Sequence, residues 1–182
     1  MVMMLVKITK STDPRIYRVP ELYEEAYPIE ERTETERLLR MIEDCPEMTF
    51  NAIMDENDVF AGMAVVWELG ICRYLLYLAV LREKRNLGIG AAALSALQME
   101  SPLPIILEVE LPSDELKRRR IGFYERNGFH IETENPRILN AAHTYENCVL
   151  MLMADGLLAD CNECQRRVVD IVYKGMHDYA KP

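Results

Sequence analysis

The sequence predicts an α/β protein with a mixed, mostly antiparallel central sheet that is flanked by helices. A buried strand at 74–81, an amphipathic helix at 88–100 and a strand at 104–111 follow one another in the order of a right-handed βαβ unit with parallel strands. A predicted hairpin at 48–68 precedes this unit, so the flanks of the sheet are expected to be antiparallel. The length of 182 residues fits one domain, which we assign to residues 1–182.

The elements before the βαβ unit are predicted from periodicity and from turn-forming residues. Pro28 and Pro46 lie just beyond two short amphipathic stretches, where proline ends a helix. The turn-forming residues 55–58 separate two apolar runs of strand length, which indicates a hairpin. The predicted elements are therefore a strand at 3–9, helices at 21–27 and 33–44, and strands at 48–54 and 59–68.

The central and C-terminal elements follow from the same criteria. The run 74–81 is almost continuously apolar, as expected for a central strand that is buried on both faces. Residues 88–100 place apolar side chains at the i, i+3, i+4, i+7 spacing of a helix with one buried face. Ser113 is expected to cap a helix that Gly128 ends. The remaining predicted elements are strands at 129–133 and 145–154 and a mostly helical segment at 157–179.

Net charge, hydropathy and cysteine content limit the kinds of partner and the cellular location that are expected. The net charge of -9 repels phosphate backbones, so nucleic acid is not expected as a partner, and a cationic substrate fits better. No stretch approaches the ~18 apolar residues of a membrane span. Five cysteines in a chain of this size predict free thiols and a cytoplasmic location. The protein is expected to be a monomer or a homodimer. Cys161 and Cys164 lack a second ligand pair, so no metal is predicted.

The most informative motif is the turn at 85–90, Arg-Asn-Leu-Gly-Ile-Gly, which follows the buried strand and opens a helix. The first N–H groups of a helix have no intrahelical partner, and the helix dipole adds partial positive charge there. Glycines at 88 and 90 remove the Cβ atoms that would hold a phosphate away. Three cations add positive charge at the same end: Arg82, Lys84 and Arg85. The motif predicts a diphosphate-binding turn.

A dinucleotide-binding turn is the alternative interpretation. Gly88-x-Gly90-x-x-Ala93 satisfies the permissive dinucleotide fingerprint, and Glu108 or Glu110 lies about 20 residues further on. That fingerprint, however, normally follows its strand directly, whereas a charged stretch intervenes here. The chain also lacks the further strand–helix repeats of a doubly wound sheet. A dinucleotide-dependent oxidoreductase therefore stays an alternative function.

The same residues resemble the GNAT family of acetyltransferases. Arg85-x-x-Gly88-x-Gly90 matches the family motif Q/R-x-x-G-x-G/A, and residues 121–129, Ile-Gly-Phe-Tyr-Glu-Arg-Asn-Gly-Phe, are similar to its second signature. Residues 107–110 look like its fifth strand. The resemblance implies a single-domain GNAT-like fold whose two parallel strands splay apart. It also implies acetyl-CoA as the co-substrate.

The resemblance implies which residues hold coenzyme A. Pantetheine would bond to the freed edge of the first parallel strand at 79–81, and the pyrophosphate to the N–H groups from Leu87 to Ala91. A backbone N–H near Val80 would stabilise the developing oxyanion. The implied coenzyme A residues are Ala79, Val80, Leu81, Arg85, Asn86, Leu87, Gly88, Ile89, Gly90, Ala91 and Tyr124.

The resemblance also implies catalytic residues. Tyr124 is expected to protonate the thiolate leaving group. Glu108 is expected to be the base, with its pKa raised by burial, while Glu110 on the same strand face and water remain alternatives. Relatives often carry a polar or acidic residue in the fourth strand, where this chain has Leu75, Leu76 and Tyr77. This departure keeps a third function open, a non-catalytic sensor that binds acyl-CoA.

The acceptor is expected to be a small cationic amine. In the family the first two helices and the last strands roof the acceptor cleft, and four carboxylates would make that roof acidic here: Glu24, Glu25, Glu30 and Glu31. The implied acceptor contacts are Glu25, Tyr27 and Glu110. The predicted activity is transfer of acetyl from acetyl-CoA to the primary amine of a polyamine, amino sugar or amino acid derivative by direct attack.

Overall fold

The computed structural model describes residues 3–29, 32–132, 137–139 and 148–178. Its strands are β1 (Met4–Ile8), β2 (Met48–Met54), β3 (Phe60–Glu68), β4 (Arg73–Val80), β5 (Ile105–Glu110), β6 (His130–Ile131), β7 (Arg137–Leu139) and β8 (Cys148–Ala154). Its α-helices are α1 (Val19–Ala26), α2 (Thr35–Asp44), α3 (Ile89–Glu100), α4 (Glu115–Arg126), α5 (Cys161–Arg167) and α6 (Lys174–Asp178). Short 3-10 helices lie at Pro14–Ile16 and Arg82–Lys84, and a π-helical segment, Val168–Tyr173, joins α5 to α6.

The α/β fold with one mixed sheet is confirmed. In the described part of the chain the strands lie in the order β1-β2-β3-β4-β5-β8-β6, and β7 also pairs with β8. The pair β4–β5 is parallel and the other neighbours are antiparallel. The predicted hairpin is β2–β3, and the predicted βαβ unit is β4–α3–β5. Local periodicity therefore sufficed to predict the central elements.

The two parallel strands splay apart soon after they meet. Their pairing consists of Arg73 opposite Ile105 and Tyr74 opposite Ile106. Two residues beyond Tyr74, the register of β4 against β3 shifts by one residue, which leaves Leu76 as a bulge. A bulge bends its strand and strengthens the local twist. The bulge therefore accounts for the separation of β4 from β5, and the expected cleft opens at that point.

Two hydrophobic clusters fix the sheet between helical layers. One face is covered by α1, α2 and the C-terminal helical segment, which contribute the fully buried side chains of Leu22, Leu38 and Val172. The other face is covered by α3 and α4, whose Leu94 and Ile121 pack on β5 and its neighbours. The cleft between β4 and β5 thus opens between two well-packed layers, so its walls are held by the core of the protein.

Several predicted bounds need correction. The C-terminal helix begins at Cys161 rather than at 157, because the Asp160 side chain accepts a hydrogen bond from the Glu163 N–H and so caps it. The strand predicted at 129–133 is reduced to His130–Ile131 within the described residues. Strand β7 and the π-helical segment were not predicted. Among the described helices, none has the length and apolar character to cross a membrane.

Candidate active site

The turn between β4 and α3 presents a row of unused backbone donors. Asn86 and Gly88 have positive φ angles of 62° and 77°, and such turns aim successive N–H groups into one concavity. The first N–H of α3 that bonds back to the turn belongs to Ala92, which donates to the Gly88 carbonyl over 3.0 Å. Within the described chain, no hydrogen bond uses the N–H groups of residues 86–91. These donors can bind an anion.

The two glycines of this turn have different roles. A Cβ atom on Gly88 would meet no atom within 4 Å, so the positive φ is what favours glycine there. A Cβ atom on Gly90 would lie 3.3 Å from Phe123 Cζ. Glycine at 90 therefore allows α3 to pack closely against α4. Helix packing is thus a second reason for glycine at position 90, beside the predicted approach of a phosphate.

The cations beside the turn are partly engaged. Arg85 Nε donates to the Val80 carbonyl over 2.9 Å, and Arg85 Nη2 lies 3.1 Å from Glu25 Oε1. Lys84 Nζ lies 2.8 Å from Asp55 Oδ2. Arg85 and Lys84 are thus positioned at the turn by carboxylates. Because the Arg85–Glu25 pair is well exposed, its net stabilisation is small, about 0–1 kcal/mol, and Arg85 can exchange partners.

The backbone edge that faces the cleft differs from the predicted one. The Leu81 N–H donates to the carbonyl of Ala61 on β3 over 2.9 Å. Since backbone groups alternate in direction along a strand, the edge of Ala79 also faces β3, while Val80 and Leu78 face the cleft. The prediction that the edge of 79–81 faces the cleft is therefore wrong for Ala79 and Leu81. Leu78 takes their place.

Tyr27, at the end of α1, reaches into the cleft. Its hydroxyl accepts from the Leu78 N–H over 2.9 Å and donates to the Leu78 carbonyl over 3.1 Å. Its ring packs on those of Tyr23 and Tyr77, with centroid distances of 5.7 and 4.6 Å. Burial raises the pKa of Tyr27, and Tyr124 adds to the rise. The predicted acceptor residue and the predicted acid are therefore near each other.

Tyr124 lies on α4 with an uncommitted hydroxyl. Its ring packs against Phe123 and Phe129, with centroid distances of 5.3 and 5.6 Å. No hydrogen bond joins its hydroxyl to any other described residue. Burial raises the pKa of Tyr124 to about 12, against a lowering by Arg120. The hydroxyl is therefore protonated at neutral pH and available as a proton donor.

Glu108 lies on β5, two residues beyond Ile106, the last residue that pairs with β4. Its Oε2 atom accepts hydrogen bonds from Tyr74 Oη, over 3.0 Å, and from Tyr173 Oη. Burial raises the pKa of Glu108, and the hydroxyls of Tyr173 and Tyr74 oppose that rise. A carboxyl group whose pKa is raised by its surroundings is a candidate general base. Tyr173 was not predicted, because no local pattern links it to Glu108.

The other predicted carboxylates are engaged elsewhere. Glu110 lies 3.1 Å from Lys117 Nζ and 3.3 Å from Arg120 Nη1, so its charge is already balanced. Glu25 pairs with Arg85, and Glu24 accepts from Thr35 Oγ1 over 2.7 Å. Glu30 and Glu31 lie outside the described residues. The charges of Glu24 and Glu25 are therefore partly engaged by neighbouring side chains, and Glu108 is a carboxylate placed where the described cleft opens.

Comparison with known families agrees with this arrangement. Residues 16–129 match the model of the acetyltransferase (GNAT) family. The matched segment contains β4, the turn at 86–91, β5 and α4, which together form the walls of the cleft. The sequence matches no curated protein.

Three solved structures have the same fold as this chain. A protein of Bacteroides thetaiotaomicron assigned to the GNAT family of acetyltransferases is 27% identical, with a TM-score of 0.78 over 95% of this chain and 98% of that chain. An aminoglycoside 6'-N-acetyltransferase complexed with coenzyme A is 20% identical, with a TM-score of 0.63 over 85% and 96% of the two chains. A spermidine N-acetyltransferase of Vibrio cholerae is 16% identical, with a TM-score of 0.61 over 86% and 93%.

Proposed function

Because the chain belongs to the GNAT family of acetyltransferases, we propose that it acetylates the primary amine of a small cationic molecule by direct attack on acetyl-CoA. Family membership makes it an acetyl-CoA-dependent transferase; the acceptor and the roles of individual residues are the proposal. The observation that carries it is the position of Glu108, a partly buried carboxyl group at the point where β4 and β5 separate. The oxidoreductase alternative has no support, since the described sheet has a single parallel pair.

The donor side fits coenzyme A. The diphosphate would accept hydrogen bonds from the N–H groups of residues 86–91, whose positive helix end favours an anion. Arg85 would leave Glu25 for the phosphate, because an exposed ion pair opposes this exchange only weakly. The pantetheine arm would bond to the cleft-facing N–H of Val80, whose carbonyl is held by Arg85, and to the backbone of Leu78. The Tyr27 hydroxyl, which now holds both backbone groups of Leu78, would give way at that residue.

Three groups of the protein each assist one step of the acetyl transfer. Glu108 takes the proton that the substrate ammonium must lose before its nitrogen can attack the thioester carbonyl carbon. A cleft-facing N–H of β4, at Val80 or Leu78, stabilises the developing oxyanion, an effect of about 3–4 kcal/mol. The bond from carbon to sulfur then breaks, and Tyr124 gives its proton to the thiolate. The second proton, which the nitrogen loses as the amide forms, restores the Tyr124 hydroxyl by way of solvent. The products are the acetylated amine and coenzyme A.

The cleft favours a cationic acceptor for two reasons. Glu108 is a carboxylate whose Oε2 is held by two tyrosine hydroxyls, and an ammonium group can neutralise its partly buried charge. Tyr27 lies on the same side of the sheet and is the partly exposed member of an aromatic cluster whose other rings, Tyr23 and Tyr77, are buried. Aromatic faces attract cations by about 0.5–2 kcal/mol. A second positive charge on the acceptor would therefore be favoured.

A matched set of amines tests this acceptor class. We expect 1,4-diaminobutane to be acetylated with a higher kcat/KM than 4-amino-1-butanol, and 4-aminobutanoate to be the poorest of the three. The chain length is constant, so the comparison isolates the second charge. Release of coenzyme A is the measurement. A preference for the neutral or the anionic amine would contradict the proposed acceptor class. Binding of acetyl-CoA with no turnover on a broader amine panel would favour the sensor function instead.

The variant Gly88→Ala is expected to bind coenzyme A about tenfold more weakly, a loss of roughly 1.4 kcal/mol. The added methyl group would meet no protein atom within 4 Å, and it would occupy space that a phosphate needs at the turn. Gly128→Ala is the matched control, since Gly128 has a φ of 89° and its Cβ would meet no atom closer than 3.9 Å. Both variants should lose about 1–2 kcal/mol of unfolding free energy through strain. Equal coenzyme A affinities, measured by calorimetry, would contradict the proposed phosphate site.

A further inference from the structure

We propose that Tyr173, on the π-helical segment Val168–Tyr173, is a positioning residue that holds Glu108 in the orientation required of the catalytic base. The proposal deepens the proposed function and rests on it, because it assigns a role toward the same carboxyl group. It makes the C-terminal segment part of the acceptor site, although this segment lies beyond residues 16–129, the part that matches the family model.

The two carboxylate oxygens of Glu108 have different surroundings. Tyr74 Oη and Tyr173 Oη both donate to Oε2, whereas Oε1 has no hydrogen-bond partner among the described residues. Two donors on one oxygen fix the plane of the carboxyl group. The free oxygen, Oε1, is then the atom that can accept a proton from the substrate ammonium.

The π-helical segment is held firmly. Val168 and Val172 are buried in the larger core cluster. Arg167, directly before the segment, donates from Nη1 to the Leu69 carbonyl over 2.6 Å. Arg37 on α2 donates to the Met176 carbonyl just after it. Packing and hydrogen bonds therefore determine where Tyr173 points, and π-helical turns are frequent at functional sites.

The hydrogen bond from Tyr173 affects the pKa of the base. A hydroxyl that donates to a carboxylate favours its charged form. Burial raises the pKa of Glu108, and the Tyr173 hydroxyl opposes that rise. Burial also raises the pKa of Tyr74 well above its ordinary value, so this second donor keeps its proton. Removing the Tyr173 hydroxyl should leave more of Glu108 protonated, and hence inactive as a base, at any given pH below its pKa.

The test is the pH dependence of Tyr173→Phe. We expect the acidic limb of kcat/KM to move to higher pH, with a loss on the order of tenfold on that limb, which corresponds to one pKa unit. Affinity for acetyl-CoA should be unchanged. Tyr74→Phe, which removes the other donor to Oε2, should move the limb in the same direction. A residue with a merely structural role would lower the melting temperature without moving the limb, and that result would overturn the proposal.

A second measurement separates this proposal from the proposed function. The unfolding free energy of wild type minus that of Glu108→Gln, followed over pH, reports the titration of Glu108 without turnover. The folded pKa is raised, so the stability that Glu108 contributes is complete below its unfolded pKa and is lost as pH rises through its folded pKa. Tyr173→Phe should extend the pH range of this stabilisation to higher pH. An unchanged range overturns the role of Tyr173. A shifted range with full activity of Glu108→Gln overturns the role of Glu108 as the base.

Discussion

The variant Glu108→Gln should lose about 10²- to 10⁴-fold in kcat/KM for the amine and keep its affinity for acetyl-CoA, since a positioned general base contributes in that range. Glutamine has nearly the same shape, and its amide oxygen can accept from Tyr74 and Tyr173 as Oε2 does now. The fold should therefore survive. Steady-state assays with the preferred amine, together with calorimetric titration of acetyl-CoA, separate the loss of chemistry from a loss of donor binding.

Glu110→Gln is the matched control, because Glu110 lies on the same strand and the same face. Its carboxylate is paired with Lys117 and Arg120, so neutralising it should change kcat/KM by less than about fivefold, as for an exposed ion pair. Wild-type kcat/KM should fall as Glu108 becomes protonated, and the acidic limb should be absent from Glu108→Gln. If the Glu110 variant carried the large loss instead, Glu110 would be the base.

The βαβ unit could be predicted because its signals are local. A continuous apolar run, a turn with two glycines and an amphipathic helix follow one another within 74–100, and each has one main structural interpretation. The depth of the cleft could not be predicted in this way. It depends on the bulge at Leu76, which arises from the pairing of β4 with β3. Nothing in the identity of a leucine between two apolar neighbours marks such a position.

The candidate site divides along the same line. The donor turn at 86–91 was predicted because its chemistry belongs to consecutive residues. The tyrosines on Glu108 come from positions 34 and 65 residues away, so only the fold brings them together. The acidic roof was expected from a count of four carboxylates, and two of these, Glu25 and Glu24, have Arg85 and Thr35 as partners in the structure. A count of carboxylates gives the charge of a surface, whereas their pairing in the fold determines which one can accept a proton or bind a cation.

Tyr124→Phe is expected to lower kcat about 10²-fold at neutral pH, the lower end of the range for a general acid. A thiol with a pKa near 8.5 leaves as a thiolate more readily than an alcohol would, so proton donation matters less than proton removal from the ammonium. The loss should shrink as the pH rises above the thiol pKa. Steady-state kcat between neutral and alkaline pH measures this trend, and coenzyme A affinity should stay the same.

The structure provides a sharp comparison for this acid. The Tyr124 hydroxyl has no hydrogen-bond partner in the described chain, so Tyr124→Phe should leave the melting temperature nearly unchanged. The Tyr27 hydroxyl bonds to both backbone groups of Leu78, so Tyr27→Phe should lower stability and change KM for acetyl-CoA more than kcat. If Tyr27→Phe instead lowered kcat while Tyr124→Phe left it unchanged, Tyr27 would be the residue that protonates the leaving sulfur. Both hydroxyls are kept protonated by burial, so their different hydrogen bonding is what favours Tyr124 as the donor.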